Sequence, residues 1–132
     1  MSRDERGVVC GGPGMPVPSV IRDRVRGEIE RDLSDWVPRI VEAMRPEKVI
    51  LFGSAARREA GERSDIDLVV IADSEATFFQ RIWQVTNLYR GEREVNVLVY
   101  TPEEWQRMLA EGRRFILTII AEGSVLYDRG TA

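Results

Sequence analysis

Two short apolar runs constrain this chain more than any other feature. Val49, Ile50, Leu51 and Phe52 are continuous, and residues 66–71 repeat the pattern with only Asp67 breaking it. Apolar runs of this length without polar alternation are the mark of strands covered on both faces, so helices must pack on either side of a sheet. The flanking segments supply such helices. Ile21, Val25, Ile29, Leu33, Trp36, Val37, Ile40 and Met44 recur at intervals of three and four and form one helical stripe. Pro38 interrupts the stripe, and Ser34 or Asp35 can cap a second helix whose first turn takes the proline. The expectation is two helices, or one kinked helix, ending before Pro46.

After the first apolar run Gly53-Ser54 breaks the strand, and residues 55–60 read as helix. A polar loop over 61–64 leads into the second strand, whose entrance is acidic. Asp73 or Ser74 is the expected cap of a helix carrying Phe78, Ile82, Val85 and Tyr89. Residues 94–100 alternate in part, with Val95, Val97 and Val99 on one face and Glu94, Asn96, Leu98 and Tyr100 on the other. Thr101 as N-cap, Pro102 at N1 and Glu104 at N3 spell a capping box, flanked by a Tyr100–Trp105 hydrophobic staple. Residues 115–121 read as a helix closed by Gly123, with a short strand over 125–127. This alternation describes a mixed α/β (α+β) domain over residues 19–132. Residues 1–18, rich in Gly and Pro, read as a disordered tail in which Cys10 is an incidental thiol.

Composition decides which chemistry is available. There are 132 residues, no histidine and one cysteine. Ser-His-Asp and Cys-His catalysis, His-containing or multi-Cys zinc sites and an intramolecular disulfide are all excluded within one chain. The formal net charge of −3 is not the basic footprint of a nucleic-acid binder. The N-terminus lacks an apolar signal core, and the apolar stretch 115–121 is far too short to span a membrane. A soluble cytoplasmic protein that works through carboxylates, hydroxyls, backbone amides and arginine is expected.

Gly53-Ser54 closes the first strand, and Asp65-Ile66-Asp67 opens the second, with ten residues between Ser54 and Asp65. Alone, the first is a tight turn and the second a solvated strand entrance. Together they make a chemical proposal. Residues two apart on a strand face the same way, so Asp65 and Asp67 can share a divalent ion. Hard oxygen ligands favour Mg²⁺ or Mn²⁺. Gly53 permits close approach of a ligand to the backbone, Ser54 opens a short helix whose free N–H groups favour a phosphate, and Arg57 can neutralise phosphate charge. A phosphate cradle beside a carboxylate metal site suits a nucleoside triphosphate.

Gly53-Ser54-Ala55-Ala56-Arg57 with Glu59-Ala60, followed by Ser64-Asp65-Ile66-Asp67-Leu68-Val69-Val70, resembles the DNA polymerase β-like nucleotidyltransferases, and within them the small single-domain branch called minimal nucleotidyltransferases. The resemblance is strongest over residues 49–71 and looser from about residue 35 to Asp128. It implies a mixed sheet packed against helices that binds an Mg-NTP, with ATP the expected nucleotide, and transfers a nucleoside monophosphate to a hydroxyl. It implies that Gly53 and Ser54 hold the triphosphate and that Asp65 and Asp67 are the catalytic metal ligands. It also implies a partner, a small all-helical HEPN protein of a toxin–antitoxin pair; self-association is left open.

The pattern departs from the family at the third carboxylate position, which falls on Asn96 in Val95-Asn96-Val97-Leu98-Val99. An amide can coordinate through its carbonyl oxygen but carries no charge and is no base. Glu94 lies on the same face, about 7 Å of strand away, and its ordinary reading is an exposed strand residue. Arg58 stands where the family has glycine. The alternative expectation is therefore a catalytically weakened module that docks on a helical partner, with Trp36, Trp83, Trp105, Phe78 and Phe79 as the available aromatic anchors. Core packing is the expected fate of most of them.

Overall fold

The structure is a computed structural model that describes residues 19–57, 61 and 64–131. The tail with Cys10, and Arg58, Glu59 and Ala60 of the expected second helix, lie outside the described residues. Helix α1 (Ser19–Met44) is followed by β1 (Lys48–Phe52), the single turn α2 (Gly53–Ala56), β2 (Ile66–Ile71), α3 (Phe78–Thr86), β3 (Val95–Tyr100), α4 (Pro102–Ala110), α5 (Arg114–Glu122) and β4 (Ser124–Asp128), with a closing 3₁₀ turn at Arg129–Thr131.

The four strands form one mixed sheet in the order β3-β2-β1-β4. β1 runs antiparallel to both β2 and β4, while β2 and β3 are parallel. Both apolar runs occupy the two inner strands, and their residues alternate between two cores. Val49, Leu51, Leu68 and Val70 join Val97 and Val99 under α1 and α3. Ile50, Val69 and Ile71 join Trp105, Met108, Ile116 and Ile119 from α4 and α5. The inference that β1 and β2 are covered on both faces is met.

α1 is one helix that continues through Pro38, rather than two. Pro38 lacks the N–H that would bond four residues back. The stripe is nevertheless continuous on both sides of it: Val25, Ile29, Leu33, Trp36 and Ile40 are all buried. The Trp36 indole also donates to the Val85 carbonyl at 3.0 Å, fixing the middle of α1 to the end of α3.

Two other expectations are corrected. α3 is capped by Thr77, whose hydroxyl accepts from the Gln80 N–H while the Gln80 side chain accepts from the Thr77 N–H. Asp73 and Ser74 lie upstream of it, and Ser74 Oγ accepts from the Ala76 N–H instead. Gly123 does follow α5, but with φ −75° and ψ 159° it is not the left-handed cap of the usual glycine stop. Glycine is required there by proximity: a Cβ would overlap the Ile119 carbonyl oxygen and come 2.8 Å from Ile50 Cγ2. At Thr101 the capping box forms as read, and the Tyr100 and Trp105 rings meet at 6.2 Å.

Candidate active site

The strand register brings the separate sequence signals to one end of the sheet. Phe52, the last residue of β1, lies opposite Asp67 of β2, and Asp67 lies opposite Asn96 of β3. The chain turns at Gly53 directly beside this row. Gly53 has φ +77°, a conformation that L side chains rarely adopt. A Cβ there would overlap Asp67 Oδ2 and come within 3.2 Å of its Cγ. The turn and the carboxylate are thus in mutual contact, although they lie fourteen positions apart in sequence.

Asn96 binds both acids. Its amide nitrogen donates to Asp65 Oδ2 at 3.0 Å and to Asp67 Oδ1 at 2.8 Å. The three side chains therefore form one cluster on the α4/α5 side of the sheet, the face shared by Asp67, Val69 and Ile71. The two carboxylates are hard oxygen donors, which fits Mg²⁺ or Mn²⁺, while Asn96 presents its amide nitrogen to them. Among the described residues no group of three carboxylate, Cys or His side chains is placed to hold a metal. The cluster has two carboxylates only.

Within the described residues α2 is a single turn. It starts at Gly53 and ends at Ala56, and the Arg57 N–H bonds to the Gly53 carbonyl at 3.1 Å. One turn has little macrodipole, so what it offers a phosphate is its unpaired first N–H groups. Arg57 sits at the C-terminal end of this turn, where its guanidinium lies 3.5 Å from Glu122 of α5; both side chains are about half exposed. Ser54 is half-buried within the turn.

An open cleft of about 780 Å³ adjoins Asp65, lined also by Ser64, Glu94, Glu28, Arg31 and Arg93. Glu94 thus reaches the cleft wall, while its backbone carbonyl accepts from the Ile66 N–H at 3.0 Å. A more apolar groove of about 450 Å³ lies between α1 and the β1/β4 edge, and none of the three clustered polar residues lines it. Of the cluster only Asp65 lines the first cleft, and Ala55 and Ala56 of the α2 turn line the second.

Sequence reading missed the residues that secure the loop before Asp65. Arg93 donates to the Ser64 carbonyl at 3.2 Å and to Glu28 of α1 at 2.7 Å. The Tyr89 hydroxyl accepts from the Arg93 N–H at 3.1 Å and donates to Asp32 at 2.6 Å. The Arg93 hydrogen bond holds the Glu28 carboxyl below its ordinary range against a smaller opposing effect of burial. Burial, reinforced by Asp32, pushes the Tyr89 hydroxyl up to about 12. These partners are up to 65 residues apart, and no local spacing announces them.

Of the five aromatic anchors considered, Trp36 and Trp105 are buried and Phe78 is partly covered by Tyr100. Phe79 and Trp83 are 79% and 67% exposed, four residues apart on α3. Among the described residues no helix is long and apolar enough to cross a membrane.

The fold has a counterpart among solved structures. The solved structure of a protein from Sulfolobus solfataricus, provisionally named a nucleotidyltransferase, superposes with a TM-score of 0.62 at 20% identity, covering 93% of this chain and 96% of that one. At this identity the likeness shows the fold. A mutant of the toxin–antitoxin MntA-HpeT gives a TM-score of 0.43 at 18% identity over 80% of this chain and 73% of that one. No curated protein sequence matches significantly. The family model described as "Polymerase beta, Nucleotidyltransferase" matches residues 38–132, a span that holds the turn at Gly53, both aspartates and Asn96. That is well over half of the sequence, and the chain belongs to the polymerase β nucleotidyltransferase family.

Proposed function

We propose that this chain binds a nucleoside triphosphate, ATP in the first instance, together with Mg²⁺ or Mn²⁺, and transfers the nucleoside monophosphate to a hydroxyl acceptor. The observation that carries this reading is the contact between Gly53 and Asp67: the turn that would receive phosphate abuts the carboxylate that would hold metal. Asp65 and Asp67 would be the metal ligands, and Gly53, Ser54 and Arg57 the phosphate contacts. The metal supplies Lewis-acid stabilisation of charge on the phosphoryl oxygens. The chain's own contribution is position. β2 sets Asp67, with Asp65 just before its first residue; the Gly53 turn lies against Asp67, and Arg93 fixes the loop before Asp65. Isothermal titration with ATP and Mg²⁺ tests the reading. Binding that Asp65→Ala or Asp67→Ala weakens at least tenfold is expected; absence of binding, or binding indifferent to both changes, overturns it.

Asn96 favours a second reading of the same site, in which nucleotide is bound but turnover is slow. Asn96 cannot take the acceptor's proton, and it adds no charge for a second metal. In this reading the chain acts by docking on a helical protein, the class of partner implied by its resemblance to minimal nucleotidyltransferases, and the exposed Phe79 and Trp83 supply apolar anchors. Incubation of native and Asn96→Asp protein with labelled ATP and a candidate partner separates the two. Transfer of label by the native protein excludes the inactive reading, and transfer by the variant alone locates the defect at Asn96.

A further inference from the structure

The Asn96 amide does more than occupy the third position. One NH₂ group faces two carboxylates, at 3.0 Å from Asp65 and 2.8 Å from Asp67. Two carboxylates sharing a site repel each other, and a shared cation is the usual remedy. Here the remedy is an N–H pair from the neighbouring strand, with its backbone held in register opposite Asp67. The amide spends both hydrogens on these two acids. It uses carboxylate lone pairs that a metal would need, so the amide and a cation compete.

We infer that the neutral Asn96 amide takes the place of a bridging cation between Asp65 and Asp67, a positioning residue that keeps the pair assembled without metal and opposes metal entry. This rests on the reading that the two aspartates hold a divalent ion. An Asn that acted as a metal ligand through Oδ1 would have the opposite effect on affinity, which makes the inference testable by truncation. Asn96 is exposed, so its replacement leaves no cavity in the core.

The experiment is a titration of the full chain with Mn²⁺ alone, read by the electron paramagnetic resonance signal of the free ion. Asn96→Ala is expected to bind Mn²⁺ about tenfold more tightly than the native chain, the equivalent of one net hydrogen bond no longer displaced. If the native affinity is too weak to measure, binding detected in Asn96→Ala carries the same meaning. Equal or weaker binding in Asn96→Ala, or none in either protein, overturns the inference. Thermal denaturation supplies a second readout. Asn96→Asp should melt below the native chain without metal and gain more from Mn²⁺ than the native chain does. Asp65→Ala and Asp67→Ala separate the two layers of the argument. If neither alters native Mn²⁺ binding, the metal site itself fails; if both weaken it while Asn96→Ala does not strengthen it, only the bridging role of Asn96 fails.

Discussion

Glu104 and the aspartate pair show two ways in which this fold treats a carboxylate. Glu104 is met by Arg81, whose guanidinium lies 2.9 Å and 3.3 Å from its two oxygens and also donates to the Val99 and Ala76 carbonyls. The Arg81 side chain is only 6% exposed. This pair closes on itself and joins α3 to α4. Asp65 and Asp67 share a neutral amide instead, at the end of the sheet facing solvent. A carboxylate that serves architecture brings its own full positive charge; the pair at the site brings a dipole and keeps negative charge in hand for a ligand.

The contrast can be broken in four places. The largest effect is expected for Arg81→Ala, which leaves Glu104 without its cation and two carbonyls without a donor. Urea denaturation should show a loss of about 3–5 kcal/mol. Gly53→Ala comes next: forcing a side chain into φ +77° costs roughly 1–2 kcal/mol. Because the new methyl displaces Asp67, it should also weaken Mg-ATP binding in calorimetry, and native affinity in this variant would refute the contact on which the proposed function rests.

The third test is pH. The Arg81 hydrogen bond holds the Glu104 carboxyl below its ordinary value, against burial acting the other way. A depressed carboxyl stabilises the fold fully above the unfolded-state pKa of about 4.3, and that stability is lost as pH falls through the lower folded value. Glu28 behaves in the same direction through Arg93. Melting temperature followed from about pH 5 downward should fall less steeply in Glu104→Gln than in the native chain. The smallest change is expected for Asp67→Asn, a loss of about 0.5–1 kcal/mol, since the half-buried side chain can still accept from Asn96 through its amide oxygen.

How much the sequence disclosed depended on the range of each interaction. The apolar runs, the Thr101 box and the Asp-x-Asp spacing are local, and all three appear where they were read. The start of α3 was legible too, because Thr77 and Gln80 have capping-box spacing, but Asp73 and Ser74 offered competing caps just upstream. At Pro38 the sequence left one kinked helix or two open, and the bond that holds the centre of the single helix comes from Val85, 49 residues away. The clamp on Ser64 was not legible: Arg93 and Glu28 meet only after the sheet has formed, and Glu28 lies before the span that the family model covers. Asn96 was identified as the odd member of the set, while its hold on both aspartates required the β2–β3 register.

That register has a consequence for how the site breathes. Asp67 sits on β2, an inner strand with β1 on one side and β3 on the other, so fraying from either edge of the sheet leaves it paired. Asn96 sits on β3, an edge strand with a single neighbour. Amide hydrogens around Asp67 should exchange only on near-global unfolding, and those of β3 should exchange through smaller openings. Asp67 would then be the fixed member of the cluster, and the Asn96 amide that bridges it to Asp65 the member that can let go.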